Sequence, residues 1–184
     1  MSTIVCYYKE KGDTQMIERK LMIDAENGDE KSMYELGTYY FENNFFAFAF
    51  YWMEKSAKKG YVPAMSELGN FYRKGIGTKI DVKKAHKWLV KASKKQNVNA
   101  MNLLVSDYLY GIFKGSEKMA LALCKKASHL DSKLGEYYLG LCYFKGIGVK
   151  RDIEKARYHF TMSAINGFEF AKAELKDKAF SIVV

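Results

Sequence analysis

The sequence predicts an all-α fold, a right-handed α/α superhelix (solenoid) of about eleven helices in antiparallel pairs. Residues 60–95 and 131–166 share eleven identical positions at a constant offset of 71 residues, from Leu68 and Leu139 to Ala85 and Ala156. That offset is about twice the length of a helical-hairpin repeat, so one further copy is expected between them. Residues 96–130, which lie between the two, match this expected further copy. The fold prediction therefore rests on the repetition.

When the repeats are aligned, their first helices have the same residue types at equivalent positions, and we call each such set of positions a column. A small residue is followed by leucine, glycine and tyrosine at positions i+4, i+5 and i+8, which lie on one face of a helix. In the second repeat these residues are Ala64, Leu68, Gly69 and Tyr72. Since glycine lacks a Cβ atom, this column is expected to let another helix approach closely.

The second helix of each repeat has an alanine, a large residue three positions later and then a pair of small residues. Ala85, Trp88 and the Ala92–Ser93 pair show this pattern, which predicts a packing face against the first helix. His159 stands in the tryptophan column of the last repeat. We call the shared columns of both helices the repeat template.

The connectors carry signals for helix ends. Gly75 and Gly146 are expected to end the first helix in a left-handed conformation, and Gly77 and Gly148 to allow a second turn. Asparagine also tolerates the left-handed conformation, so Asn43–Asn44 predicts a tighter turn in the first repeat. Three residues are predicted N-caps of the second helices: Asp81, Ser116 and Asp152.

The chain is expected to form a single domain over residues 1–184. Residues 1–27 are predicted to be a degenerate repeat. Its first helix, at residues 4–12, matches the repeat pattern poorly, and its second helix is expected at residues 16–27. Four repeats follow at residues 28–59, 60–95, 96–130 and 131–166, and residues 167–184 are predicted to form a capping helix.

Composition favours an intracellular, cytoplasmic protein. The sequence shows no signal peptide and no apolar run long enough to cross a membrane, and its three cysteines are odd in number and far apart. The net charge is +9, and nearly all the cations are lysines. Lysine is strongly hydrated and less suited than arginine to phosphate recognition, so solvated helix faces are the simplest interpretation.

The combined pattern of residues 64–92 resembles the Sel-one-like repeat, a longer-looped relative of the tetratricopeptide repeat. Residues 131–167 match it well apart from His159, and the repeats beginning near Gly28 and Gln96 are degenerate. The resemblance covers nearly the whole chain from Gly28. It implies an α-solenoid adaptor that assembles other proteins and has no enzymatic activity.

Other sites are poorly supported by the sequence. The GIGTK and GIGVK loops lack the spacing and the preceding strand of a phosphate-binding loop. Cys124, His129, Cys142 and His159 match no zinc-ligand spacing. The histidines have no nucleophile or carboxylate fixed by a motif. No catalytic residue, cofactor or metal site is therefore predicted.

A binding surface is instead predicted along the first helices, on the concave side of a solenoid. The partner is expected to be an unidentified protein or peptide, and nucleic-acid binding through the lysines is the alternative. Tyr138 and Leu141 are either exposed anchors or packed against a neighbouring helix. The chain is expected to be a monomer or a weak homo-oligomer. The predicted residues, which we call the candidate groove, are Glu35, Thr38, Tyr39, Glu67, Asn70, Phe71, Lys74, Leu103, Asp107, Tyr110, Tyr138, Leu141 and Lys145.

Overall fold

The computed structural model describes residues 12–113 and 117–176, and all regular secondary structure in these two ranges is α-helical. The predicted all-α class is therefore confirmed. Ten helices follow one another in this part of the chain: α1 (Gly12–Glu26), α2 (Glu30–Glu42), α3 (Phe46–Lys59), α4 (Val62–Lys74), α5 (Val82–Lys94), α6 (Val98–Leu109), α7 (Glu117–Ser128), α8 (Lys133–Lys145), α9 (Ile153–Ile165) and α10 (Glu169–Glu174).

The helices group into two compact units, Met1–Lys95 and Gln96–Val184. In the first unit, each of α1 to α4 packs against the next helix along the chain, so that α5 is the last of five helices in contact. In the second unit, α6 to α10 do the same, and α6 also contacts α8. The expectation of a single domain stays a prediction. Within the described ranges, no helix is long and apolar enough to cross a membrane.

The predicted helix ends are present where the structure describes them. Gly75 and Gly146 end α4 and α8 with φ angles of 73° and 74°, in the left-handed region. The Asp81 carboxylate accepts a hydrogen bond of 2.9 Å from the backbone N–H of Lys84, and Asp152 caps α9 in the same way. These caps satisfy N–H groups that have no partner inside the helix.

Some predicted boundaries differ from the structure. The helix expected at residues 16–27 is α1, which already includes Gly12, four residues before the predicted start. Of the predicted capping segment, α10 occupies Glu169–Glu174. The rest of that segment beyond residue 176, the N-cap at Ser116 and all but the last residue of the predicted helix at 4–12 lie outside the described residues. The tighter turn of the first repeat is present, with Asn44 at φ 64°.

The core of each unit follows the repeat template. The alanine columns are almost completely inaccessible, with Ala49 and Ala85 exposed by 0% and 1%. The leucine column is equally buried from Leu36 to Leu104. Because alanine loses almost no side-chain entropy on burial, these columns bring helices together at little entropic cost.

Glycines in the first helices set how closely the paired helices approach. A Cβ atom placed on Gly69 would lie 2.7 Å from Leu89 Cγ, and one on Gly140 would lie 2.6 Å from a ring carbon of Phe160. Both distances are well below van der Waals contact. The missing side chain thus admits a large residue of the second helix, as the sequence predicted.

Replacing Gly77 with alanine is expected to destabilise the first unit by about 2 kcal/mol or more. Gly77 has φ 65°, and a Cβ atom there would lie 2.0 Å from the Phe46 carbonyl oxygen, so strain and overlap act together. Urea unfolding measures the change.

Gly60→Ala is the matched control, because Gly60 has φ 110° and open space around its missing Cβ atom. It should lose only the cost of the left-handed conformation, about 1 kcal/mol. Equal losses for the two variants would show that the contact between the loop and α3 is unimportant.

Candidate functional site

The structure divides the candidate groove into exposed and buried residues. Glu35, Lys74, Tyr110 and Lys145 are exposed. A second group is half-buried and comprises Thr38, Tyr39, Glu67, Asn70 and Leu103. Four residues are buried, with exposed fractions of 2%, 1%, 9% and 8% for Phe71, Asp107, Tyr138 and Leu141.

The four buried residues correct the predicted surface. The Phe71 ring lies 5.5 Å from the ring of Phe41 on α2, across the boundary between two repeats. Tyr138 and Leu141 belong to the core of the second unit. Of the two alternatives stated for them, exposed anchors or packed residues, the second is therefore correct. Helices such as α4 and α8 are covered by neighbours on two sides, which narrows their exposed strip.

In the first unit, the half-buried face centres on Glu67 of α4. Burial raises the pKa of this carboxyl, while a hydrogen bond from Asn70 and the charge of Lys74 oppose the shift. Burial also raises the pKa of Tyr34 on α2, and the negative charge of Glu67 adds to this increase. Glu67 of α4 and Tyr34 of α2 are therefore near enough for the charge of one to affect the other.

Two further features complete this face. The Tyr34 and Tyr61 rings lie 5.3 Å apart and are tilted against each other. The Asn70 side-chain oxygen is buried and accepts no hydrogen bond from the described residues. The face thus combines a carboxylate, an amide oxygen with unused acceptor capacity and two aromatic rings.

In the second unit, sequence reasoning missed a polar network. Glu136 of α8 lies at its centre, with one carboxylate oxygen 2.7 Å from His159 Nδ1 and the other accepting a 2.5 Å hydrogen bond from Ser128 Oγ. The imidazole ring is stacked on Tyr143 with an interplanar angle of 3° and a centroid distance of 5.4 Å. The His159 and Glu136 side chains are only 15% and 14% exposed.

This network has the wrong order for nucleophilic catalysis. In a catalytic triad, histidine contacts the serine hydroxyl and the carboxylate orients the histidine. Here Glu136 lies between Ser128 and His159, so the imidazole does not contact the hydroxyl. The arrangement links α7, α8 and α9, which indicates a structural role.

A sequence signal for this network existed. Glu136 replaces the methionine that follows the small residue in the other repeats, as in Met65, and His159 replaces the tryptophan of Trp88. Both departures from the repeat template occur in the same repeat. Paired polar substitutions at two apolar columns are therefore the pattern that would have predicted the contact.

The two cysteines in the described core also lie close together. Cys124 and Cys142 are free and fully buried, and their Sγ atoms are 4.0 Å apart. The hydrogen bond with Cys142, together with burial, raises the pKa of Cys124. Among residues 12–113 and 117–176, no group of three or more His, Cys, Asp or Glu side chains is placed to hold a metal ion.

The sequence profile described as Sel1 repeat matches four segments of the chain, residues 30–61, 62–97, 100–132 and 134–168. Together they cover more than half of its 184 residues. The chain belongs to the Sel1 repeat family. The resemblance inferred from the repeat template is thereby confirmed.

Two curated relatives and one solved structure show how the chain is related to known proteins. It is 34% identical over 105 residues to the ERAD-associated E3 ubiquitin-protein ligase component HRD3B of Arabidopsis thaliana, covering 56% of the chain and 17% of that protein. It is 27% identical over 161 residues to chitin synthase regulatory factor 3 of Schizosaccharomyces pombe, covering 82% of the chain and 17% of that protein. The chain thus spans less than a fifth of each relative.

The solved structure is a protective antigen present in uropathogenic Escherichia coli strains, which displays an SLR fold. It matches with a TM-score of 0.79 and 26% identity, over 86% of this chain and 35% of the antigen. The solenoid-like repeat fold is therefore shown for this Sel1-repeat chain. Members of the family are generally protein-interaction scaffolds and are typically non-catalytic.

Restoring the repeat template at both polar positions should reveal their coupling. Glu136→Met leaves His159 without its hydrogen-bond acceptor and is expected to lower the free energy of unfolding by about 1–3 kcal/mol. His159→Trp leaves the Glu136 carboxylate without its donor and should have a similar effect. The double variant should be destabilised by at least about 1 kcal/mol less than the sum of the two single destabilisations. Denaturant unfolding of the four proteins measures this coupling, and additive losses would argue against the network.

Proposed function

We propose that this Sel1-repeat protein is a non-enzymatic adaptor that binds a protein or peptide on the exposed strips of its first helices. The family supports the general role. The exposed and half-buried members of the candidate groove provide the surface, and its four buried members contribute to the core.

The half-buried face around Glu67 carries the proposal. Burying a carboxylate that forms no ion pair with the described residues is unfavourable, which the raised pKa of Glu67 reflects. Asn70, one turn along α4, holds this carboxylate in place through its side-chain hydrogen bond. A partner that supplies hydrogen-bond donors would satisfy the rest of the carboxylate, as the backbone N–H groups of a peptide or a basic side chain can.

The aromatic rings beside Glu67 favour the same partner. Tyr34 and Tyr61 present ring surface next to a carboxylate, and tyrosine is a common anchor residue at protein interfaces. Nucleic acid is a poor fit at this position because its phosphates would meet the Glu67 carboxylate. Nucleic-acid binding elsewhere, through the lysines, remains the alternative function, and an electrophoretic shift at physiological salt tests it.

The double variant Glu67→Gln/Asn70→Ala is expected to lose partner capture without loss of stability. For a carboxyl whose folded pKa is raised, stability falls as pH rises from the unfolded value of about 4.3 through the folded value. Glu67→Gln alone removes that penalty, so its melting temperature at neutral pH should rise. Affinity capture from the native host, with melting measured in parallel, tests both effects.

Glu154→Gln/Asn166→Ala is the matched control, since it makes the same chemical changes at exposed positions in the second unit. It should keep every captured protein. Retention of all partners by the Glu67→Gln/Asn70→Ala variant would contradict the proposed site, as would tight, sequence-selective RNA or DNA binding by the native protein.

A further inference from the structure

Most of the net charge of the chain is concentrated around one helix. Residues 79–95 contain seven lysines and one aspartate, a net charge of +6, while the whole chain carries +9. This segment includes all of α5, the second helix of the second predicted repeat. The excess of lysine noted in the sequence is therefore local.

Four of these lysines form one exposed face of α5. At about 100° per residue they lie within an arc of about 80°, and they span about 16 Å along the helix axis. The opposite face, with Ala85, Leu89 and Ala92, is buried. We call the exposed face the lysine stripe; it consists of Lys83, Lys87, Lys91 and Lys94.

The lysine stripe is not compensated within the described residues. Lys84, beside it, pairs with Asp81 at 3.5 Å, but no stripe lysine has a carboxylate within ion-pairing distance in residues 12–113 and 117–176. Like charges at i and i+4, such as Lys83 and Lys87, destabilise a helix. The stripe therefore costs stability.

The repeat template does not require these lysines. The last repeat is 71 residues further along the chain and folds with one acidic and three largely apolar residues at the same positions. They are Glu154, Tyr158, Met162 and Ile165. Packing within the repeat therefore does not explain the stripe.

We propose that the lysine stripe docks an acidic segment of a partner polypeptide. Successive stripe positions four residues apart are separated by about 6 Å along α5. Acidic side chains recur at about the same interval, every fourth residue on a helix or every second on a strand. Lys91 is already positioned, with its Nζ 4.9 Å from the centre of the Trp88 ring. Ile80, 66% exposed just before α5, offers an apolar contact at one end.

Other polyanions fit the stripe less well. Specific phosphate recognition favours the rigid fork of arginine, and residues 79–95 contain none. Single-stranded nucleic acid also needs exposed rings for stacking, whereas Trp88 is half-buried beneath Lys91. A helix lying in a membrane surface inserts its apolar face, and in α5 that face is packed against α4.

The proposal is tested by binding a labelled peptide of alternating Glu and Ala, measured by fluorescence anisotropy at physiological salt. The variant Lys83→Gln/Lys87→Gln/Lys91→Gln/Lys94→Gln should bind this peptide about tenfold more weakly or worse, since each exposed ion pair contributes modestly. It should also melt at a higher temperature, because the like-charge repulsion is removed. The native protein should bind charge-matched oligonucleotides and phosphatidylserine vesicles more weakly than the peptide.

Lys118→Gln/Lys125→Gln/Lys126→Gln/Lys133→Gln is the control, as it removes four exposed charges from the second unit. Its peptide affinity should fall by about twofold or less, through net charge alone. Equal losses in both variants, no binding by the native protein, or tighter binding to the oligonucleotide or vesicle would overturn the proposal. Because this surface is separate from the Glu67 face, Glu67→Gln/Asn70→Ala should bind the acidic peptide normally whether or not that face is functional.

Discussion

The close approach of paired helices at small residues is the constraint on which the rest of the structure depends. At Gly69 and Gly140 the absence of a side chain makes room for Leu89 and Phe160, so each large residue fills the space that the opposite helix leaves. The alanine columns extend the same contact along the helices. Glycine inside a helix costs about 1 kcal/mol relative to alanine, so the tight contact must stabilise the fold by more than that amount. This requirement explains why the same residue types recur repeat after repeat.

Once packing accounts for the repeated columns, the positions at which the repeats differ become informative. Glu136 and His159 replace apolar residues, and they form a half-buried polar contact within the second unit. Glu67 keeps a carboxylate at a half-buried position of the first unit, where burial raises its pKa. The lysines of α5 crowd like charge onto one helix. The first departure has a partner inside the protein, whereas the other two are the basis of the two proposed contacts with a partner.

The sequence was sufficient for the fold because its signals are local or strictly periodic. Gly75 and Asp81 mark helix ends through their own conformational and hydrogen-bonding preferences. The candidate groove was harder to predict, since burial there depends on the adjacent repeat. Phe71 occupies a position that looks exposed within its own repeat, yet it packs against Phe41 of the preceding one. Tyr138 and Leu141 are similarly covered, and the Glu136–His159 contact joins residues 23 positions apart. Columns compared one at a time do not show such pairs.

A double-mutant cycle between Gly69 and Leu89 tests the central packing claim most directly. In the native background, Gly69→Ala should destabilise the protein, because its Cβ atom would overlap Leu89. In the Leu89→Ala background the space is free, and the same change should become neutral or stabilising through the higher helix propensity of alanine. Denaturant unfolding of the four proteins gives the coupling free energy, which we expect to be about 1 kcal/mol or more. An identical effect of Gly69→Ala in both backgrounds would contradict the claim that this glycine is present to admit the leucine.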